Sequence, residues 1–361
     1  MTYDPTTPYN DLPPLPPAVE TETKAVLKRA LSAGRALAEL KGIGQTIPNQ
    51  AMLVTSLVLQ EARASSEIEN IVTTNDALFR AFSADTSNVD PATKEVLRYR
   101  EALWAGYEAL KTRPLLSTNL FVDIVQRIKR TEAGIRQMPG TAVVNSATGE
   151  VIYTPPEGEA VIRAKLKELE DFIHDADDVD PLVKLALIHY QFEAIHPFSD
   201  GNGRTGRIVN ILFLVLNGLL DMPVLYLSKS IIERKSDYYR LLRAVTERAE
   251  WEPWVLYMLA AVEDTAVLTR QRIVAIRDLM VATTDMAKAR LPSRVYSKEL
   301  IELLFHQPYT KVQFLVEAGL AGRQTAASYL KALETIGVLE SRRVGRETLY
   351  LNVPLYDLLA R

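Results

Sequence analysis

The chain has no cysteine. That excludes disulfides, thiolate metal sites and a cysteine nucleophile, and it fits a reducing, cytoplasmic setting. Long apolar runs are also missing. The most apolar stretch, Ile208 to Leu220, spans 13 residues and contains Asn210 and Asn217. It is too short to cross a bilayer and reads as a buried core helix. The opening MTYDPTTPYNDLPP lacks the basic and apolar regions of a secretory signal, so no membrane partner is expected. Neither sign of charge is in excess: 42 Lys and Arg against 45 Asp and Glu, a formal net charge of −3. Nothing global attracts nucleic acid or an anionic membrane, and such binding would need a local patch. What remains is ordinary for a soluble globular protein: 361 residues, 47% hydrophobic and 24% charged. That length allows two or three domains and a sizeable core.

Residues 9–17, YNDLPPLPP, carry four prolines and read as an extended arm lying on the surface. Helical patterning runs from about Val19 to Glu39, with Gly42 and Gly44 as the expected stop. A second helix is expected from about Asn49 to Asn70, apolar at Leu53, Leu57 and Leu59 and then polar in SSEIEN. Two more are expected at about 91–111 and 117–130. GTAVVNSATGEVIYTPP (Gly140–Pro156) has two β-branched runs around Ser-Ala-Thr-Gly, the signature of a hairpin. A charged helix follows at about 157–174. The acidic HDADDVDP after it lacks EF-hand spacing and reads as a solvated loop capping a helix that opens at Pro181. Helices continue to about Met286. From Tyr296 the order is helix, Gly-containing turn, helix, then VLESRRV and ETLYLNV flanking Gly345-Arg346 as a hairpin, which looks like a winged-helix domain.

The chemistry concentrates between Pro181 and Leu220. PLVKLALIHYQFEAI is a core-facing helix that His196-Pro197 stops. FSDGNGRTGR follows, and a buried helix resumes. A Gly-rich loop between two helices suits a polyphosphate: Gly201 and Gly203 let backbone N–H groups converge on an anion, and the next helix N-terminus adds partial positive charge. Arg204 and Arg207 supply forked donors. Asp200 can hold a Mg²⁺ that bridges phosphates. His196 is the natural general base near neutral pH. Phe198 is expected to turn inward and anchor the loop. Gly201 to Gly206 also spells the dinucleotide fingerprint, but a helix rather than a strand precedes it, so a nicotinamide site is rejected.

HPFSDGNGRTGR (His196–Arg207) resembles the Fic family signature at every fixed position. The resemblance implies a mainly helical fold with a β-hairpin flap and, here, a C-terminal winged-helix domain. It divides the chain into 1–100 (arm and helices, including an inhibitory helix), 101–286 (the catalytic core) and 291–361 (the winged helix). It also implies transfer of AMP from ATP to a Ser, Thr or Tyr hydroxyl of a target protein, or of the chain itself. His196 would then be the base and Asp200 the Mg²⁺ ligand. Asn202 and the amides around Gly201 and Gly203 would form the anion hole. Arg204 would contact phosphates and Arg207 the γ-phosphate, with Thr205 and Gly206 counted in the same nucleotide-binding loop. The hairpin at about 142–154 would align the target as an added strand. Tyr238 and Tyr239 match an aromatic pair near the adenine, and packing explains them equally well. His189 reads as a hydrogen-bonded structural histidine.

SSEIEN resembles the family's inhibitory helix through Ser65, Glu69 and Asn70. Ser65 and Glu69 lie four apart, hence on one helical face. Glu69 would pair with Arg207 and deny the γ-phosphate its partner. Other outcomes stay open: removal of AMP with Glu69 positioning water, transfer of another nucleotide, or DNA binding through the winged helix. Residues 291–361 hold nine Lys and Arg against seven Asp and Glu. Arg323, Lys331, Arg342, Arg343 and Arg346 are therefore a modest patch, and such a tail also suits homodimerisation or partner docking.

Overall fold

The computed structural model describes residues 3–45, 50–83, 89–145, 148–344 and 347–360, with the backbone alone for 50–55. Leu53's side chain, the Ser146-Ala147 turn and Gly345-Arg346 therefore lie outside the described residues. The arm takes no helix and lies against the flap and the core. Tyr9 N–H donates to Thr154 O (3.0 Å), Thr154 Oγ1 to Pro5 O (2.7 Å) and Gln191 Nε2 to Pro13 O (2.8 Å), with Leu12 buried.

Helix α1 (Lys24–Gln45) begins later than expected and runs through both glycines. Each glycine weakens a helix by about 1 kcal/mol relative to alanine. Tertiary anchoring offsets this: Lys41 Nζ donates to Gly218 O (2.8 Å) and Gln45 Nε2 to Asp221 Oδ2 (2.9 Å). Helix α2 (Gln50–Ile68) is buried along most of its described length, several polar residues included: Gln60, Glu61, Ser65 and Ser66 are at most 1% exposed. Helix α3 (Asn75–Ser83) has no counterpart in the sequence reading; Thr74 Oγ1 caps it at Ala77 N–H (3.0 Å), and Leu78 and Phe79 are buried.

Helix α4 (Pro91–Thr112) opens on an Asp90 cap and α5 (Thr118–Lys129) on a Ser117 cap, each side chain accepting from a first-turn N–H. Strands β1 (Val143–Val144) and β2 (Val151–Tyr153) pair antiparallel as the flap, Val143 facing Tyr153. Helix α6 (Glu159–His174) leads to the acidic loop, where Lys184 Nζ donates to Asp175 O and Asp177 Oδ2 (both 2.9 Å) and Asp180 caps α7 (Pro181–Ile195). Helix α8 (Asn202–Leu216) packs on α7, and both are buried nearly all round. Helices α9 (Leu227–Glu233) and α10 (Lys235–Arg248) follow, then α11 (Trp251–Arg290), whose 40 residues make it about 60 Å long. No described helix is long and apolar enough to cross a membrane.

The last part runs α12 (Lys298–Leu303), β3 (Tyr309–Thr310), α13 (Val312–Glu317), α14 (Arg323–Thr335), β4 (Glu340–Val344), β5 (Glu347–Leu351) and α15 (Val353–Ala360). The three strands form an antiparallel sheet ordered β3-β5-β4, with Arg342 opposite Leu349, as a winged helix requires. Helix α4 runs through residue 100, so the first two expected segments share one continuous helix, while α11 passes residue 286 and ends at Arg290, just before the third.

Candidate active site

Helix α7 ends at Ile195, and His196 takes a left-handed conformation (φ 48°). A non-glycine residue there carries about 1–3 kcal/mol of strain and persists only where its surroundings hold it. Several contacts do so. His196 N–H donates to Phe192 O (3.1 Å), Arg136 Nε donates to His196 O (2.8 Å), and Arg136 N–H donates to Pro197 O (2.9 Å). Phe198 is buried against Phe192, as expected. Burial lowers the His196 pKa to about 4, and the Arg136 charge acts in the same direction. Its imidazole is therefore neutral and able to accept a proton at physiological pH.

The loop closes through Asn202. Its Oδ1 accepts from Phe198 N–H (2.8 Å) and its Nδ2 donates to Phe198 O (2.7 Å). Both ends of the side chain are thus spent on holding the loop, which leaves the backbone amides for an anion. Gly201 sits at φ 85° as the N-cap of α8, a conformation that favours glycine. Thr205 and Gly206 turn into the protein. Thr205 is fully buried, and a Cβ at Gly206 would lie 2.7 Å from Glu193 Oε1 and 3.0 Å from Phe192. Gly206 thus serves the close approach of α7 and α8.

Arg204 is also buried, with Nη1 on Glu95 Oε1 at 2.6 Å. Lys129 Nζ bridges Glu95 (3.0 Å) and the exposed Asp200 (2.7 Å). Burial would raise the Asp200 pKa, but Lys129 more than offsets this and it lies below its usual value. Glu95 and Lys129 are each one of several charged residues on α4 and α5, and no local pattern marks them. Among the described residues no group of three or more His, Cys, Asp or Glu could hold a metal ion. The lone exposed carboxylate of Asp200, facing a cation already, nevertheless fits an ion bound mainly through phosphates and water.

Arg207, 1% exposed, meets α2. Its Nε donates to Ser65 Oγ (2.7 Å), and Nη2 donates to Ser65 O and Glu69 Oε1 (both 2.9 Å). A Cβ on Gly203 would collide with Glu69 Oε1. A carboxylate oxygen thus stands over the glycine loop, where an anion is expected. Burial would raise the Glu69 pKa, but Arg207 outweighs this and holds it below the usual carboxylate range. Asn70 ends α2 at φ 62°, with Ile71 N–H on Ser66 O (3.0 Å). That wrap-back needs a left-handed residue, which explains an Asn or Gly at this place. Lys235 Nζ caps the same end at Ile68 O (2.6 Å).

Tyr238 is 2% exposed; its OH meets His189 Nε2 at 2.9 Å, and its ring packs on Trp254 and Tyr257. His189 is thus the structural histidine expected, its pKa lowered to about 3 by burial. Tyr239 is the exposed member of the pair, 45% accessible, and its ring meets Tyr238 edge-on. Glu193, which no sequence motif marks, has its pKa raised to about 7 by burial.

Three family models match in order along the chain: the Fic/DOC family N-terminal model over residues 27–108, the Fic/DOC family model over 115–214, and the C-terminal domain of SoFic-like protein adenylyltransferases over 279–355. Protein adenylyltransferase fic-1 of Caenorhabditis elegans is 32% identical over 108 residues, 29% of this chain and 20% of that protein. A probable protein adenylyltransferase of Aquifex aeolicus is 37% identical over 70 residues, 19% of this chain and 22% of that one. The match thus spans about a fifth of the curated relatives' length. The crystal structure of a Fic family protein from Desulfovibrio desulfuricans G20 aligns with a TM-score of 0.57 at 22% identity, over 92% of this chain and 97% of that one. Caenorhabditis elegans Fic-1 aligns with 0.54 at 21% identity, over 70% and 73%; both show a shared fold. With its loop signature folded as a helix–loop–helix under a hairpin flap, the chain carries a Fic/DOC family domain, preceded by a Fic/DOC N-terminal domain and followed by a SoFic-like C-terminal domain.

Proposed function

We propose that this chain transfers AMP from ATP to a serine, threonine or tyrosine hydroxyl of a target protein, or of itself, and that Glu69 restrains the reaction. The observation that carries this reading is Glu69 Oε1, an anionic oxygen held against Gly203 and on Arg207. It occupies the place that a glycine loop and a helix N-terminus offer to a phosphate. In the reaction the hydroxyl oxygen attacks the α-phosphorus and the bond from phosphorus to the α,β-bridging oxygen breaks. Pyrophosphate leaves, and neutral His196 takes the hydroxyl proton. Backbone amides around Gly201 to Gly203 stabilise the charge on the phosphate oxygens. Arg207 is the γ-phosphate ligand once Glu69 leaves it.

Asp200 is the residue that would hold Mg²⁺, with Lys129 giving up its place. A bound Mg²⁺ neutralises phosphate charge and orients the leaving group. The target adds to the flap at β1, where Val144 is 51% exposed, because the arm bonds at Thr154 just beyond β2. The C-terminal domain is a docking module for a second copy or a partner protein rather than for DNA. Arg342 is engaged by Glu340 (3.3 Å) and Tyr309 (3.4 Å), and Lys331 by Glu334 (2.8 Å). The cysteine-free composition is compatible with a reducing, cytoplasmic setting.

The test is incubation with each α-labelled nucleotide in turn, using the parent, Glu69→Gly and His196→Ala. Label should reach protein from ATP, rise in Glu69→Gly and vanish in His196→Ala, a base being worth about 10²–10⁴-fold. Undiminished labelling by His196→Ala removes the base role, and no labelling from ATP by Glu69→Gly removes the reading.

A further inference from the structure

The end of α7 is capped by the segment that leads into the flap. Four consecutive carbonyls, Ala194 to Pro197, receive hydrogen bonds from two residues, Arg136 in that segment and Tyr153 on β2 of the flap. Tyr153 OH donates to Ala194 O (2.7 Å), Arg136 Nη2 to Ile195 O (3.4 Å), Arg136 Nε to His196 O (2.8 Å) and Arg136 N–H to Pro197 O (2.9 Å). Arg136 Nη2 also donates to Pro156 O, at the far side of the flap. A helix C-terminus leaves such carbonyls unpaired and carries partial negative charge, so a guanidinium fork is well matched to it. Arg136 is only 7% exposed, and among the described residues its side-chain hydrogen bonds all go to backbone carbonyls. Glu157 also lies near enough to favour its charge.

We propose that Arg136 is a positioning residue for His196: it locks the left-handed turn that aims the imidazole and ties that turn to both ends of the flap. Base and target-binding strand then move as one unit. The charge has a second consequence, resting on the same geometry. His196 is faced by Arg136 from the flap segment, by Glu69 from the end of α2, by Asp200 from its own loop and by the Glu193 carbonyl on α7. Arg136 alone among these opposes protonation, adding to burial. Losing its charge therefore raises the affinity of His196 for a proton.

This rests on His196 being the transfer base, and the experiment separates the two claims. Arg136→Gln and Arg136→Lys are made in the full chain carrying Glu69→Gly. Self-modification from α-labelled ATP gives kcat and KM, and the His196 ring is titrated by NMR. With Arg136→Gln, kcat should fall about 10- to 100-fold, the scale set by small misplacements of reacting groups, with KM for ATP little changed. The His196 titration should move to higher pH. Arg136→Lys keeps the charge but loses the fork, so kcat should fall while the titration stays near the parent. A folded Arg136→Gln protein with parental kcat and an unmoved His196 titration overturns the proposal. If Arg136→Gln does not fold, parental kcat in Arg136→Lys overturns it instead. If Glu69→Gly transfers no AMP at all, the activity reading fails, and the His196 titration still decides the role of Arg136.

Discussion

His196 opens the loop and Glu69 stands over it at Gly203, and their protonation preferences shape what the site can do. Burial and Arg136 depress the His196 pKa from 6.5 to about 4. A depressed base binds its proton more weakly folded than unfolded. Folding stability from this group is therefore present above about pH 6.5 and is lost as pH falls toward 4. The same shift governs the rate. In Glu69→Gly, kcat/KM for AMP transfer should hold level down through pH 6 and fall only as pH approaches about 4. Removing Glu69 takes away an influence that raises the His196 pKa, so the limb moves no higher. An acid limb near pH 6.5 would mean that desolvation and Arg136 do not depress the imidazole as described. Glu69→Gly also separates AMP transfer from hydrolytic removal of AMP. A water-positioning Glu69 would make the variant slower at removing AMP, while a restraint makes it faster at adding it. At this scale the two motifs were legible because each is short and local: His196 to Arg207, and Ser65, Glu69 and Asn70. Arg136, Glu95 and Lys129 were not, since each becomes meaningful only through a partner distant in sequence.

Elements were legible where local chemistry decides their ends. Asp90, Ser117 and Asp180 cap α4, α5 and α7 where a proline or hydroxyl signal stands in the sequence. They were illegible where packing overrides local preference, as at Gly42 and Gly44 in α1, which the anchors at Gly218 and Asp221 carry through as helix. Helix α3 is nine residues long, too short to show a periodicity of its own. The flap is an element whose two sides differ. Tyr153 is pinned to Ala194 and packs on Tyr3 and Tyr9 of the arm, while Val144 faces solvent on β1. Proline at an edge removes a donor without filling space in the core. Val144→Pro should therefore reduce labelling of a target protein at least several-fold while leaving ATP affinity near the parent. Equal loss of both, measured by labelling and by calorimetric titration with ATP, would assign the hairpin to the nucleotide or to the fold.

The C-terminal domain bears on the rest of the molecule at α2 and α3. Tyr309 OH donates to Asp76 Oδ1 (2.5 Å), Ser83 Oγ to Tyr309 O (3.3 Å), Asn75 Nδ2 to Ala360 O (3.3 Å) and Ser56 Oγ to His306 O (3.4 Å). Phe79 and Tyr356 meet edge to face with ring centroids 6.0 Å apart. Helix α11 leads to Arg290, and a short non-helical stretch connects it to α12 at Lys298. Docking of this kind makes the two parts unfold together, because loosening either exposes the buried face of the other. The three tryptophans, Trp104, Trp251 and Trp254, all precede the C-terminal domain, so fluorescence reports on the core alone. Leu330 is fully buried inside α14, and Leu330→Ala should cost about 2–5 kcal/mol by leaving a cavity there. Coupled parts share that loss: the tryptophan-detected melting temperature should drop by the same amount as the helical signal in circular dichroism, in one transition. A tryptophan signal that melts at the parental temperature while the helical signal splits in two would mean that the domain folds apart from the core.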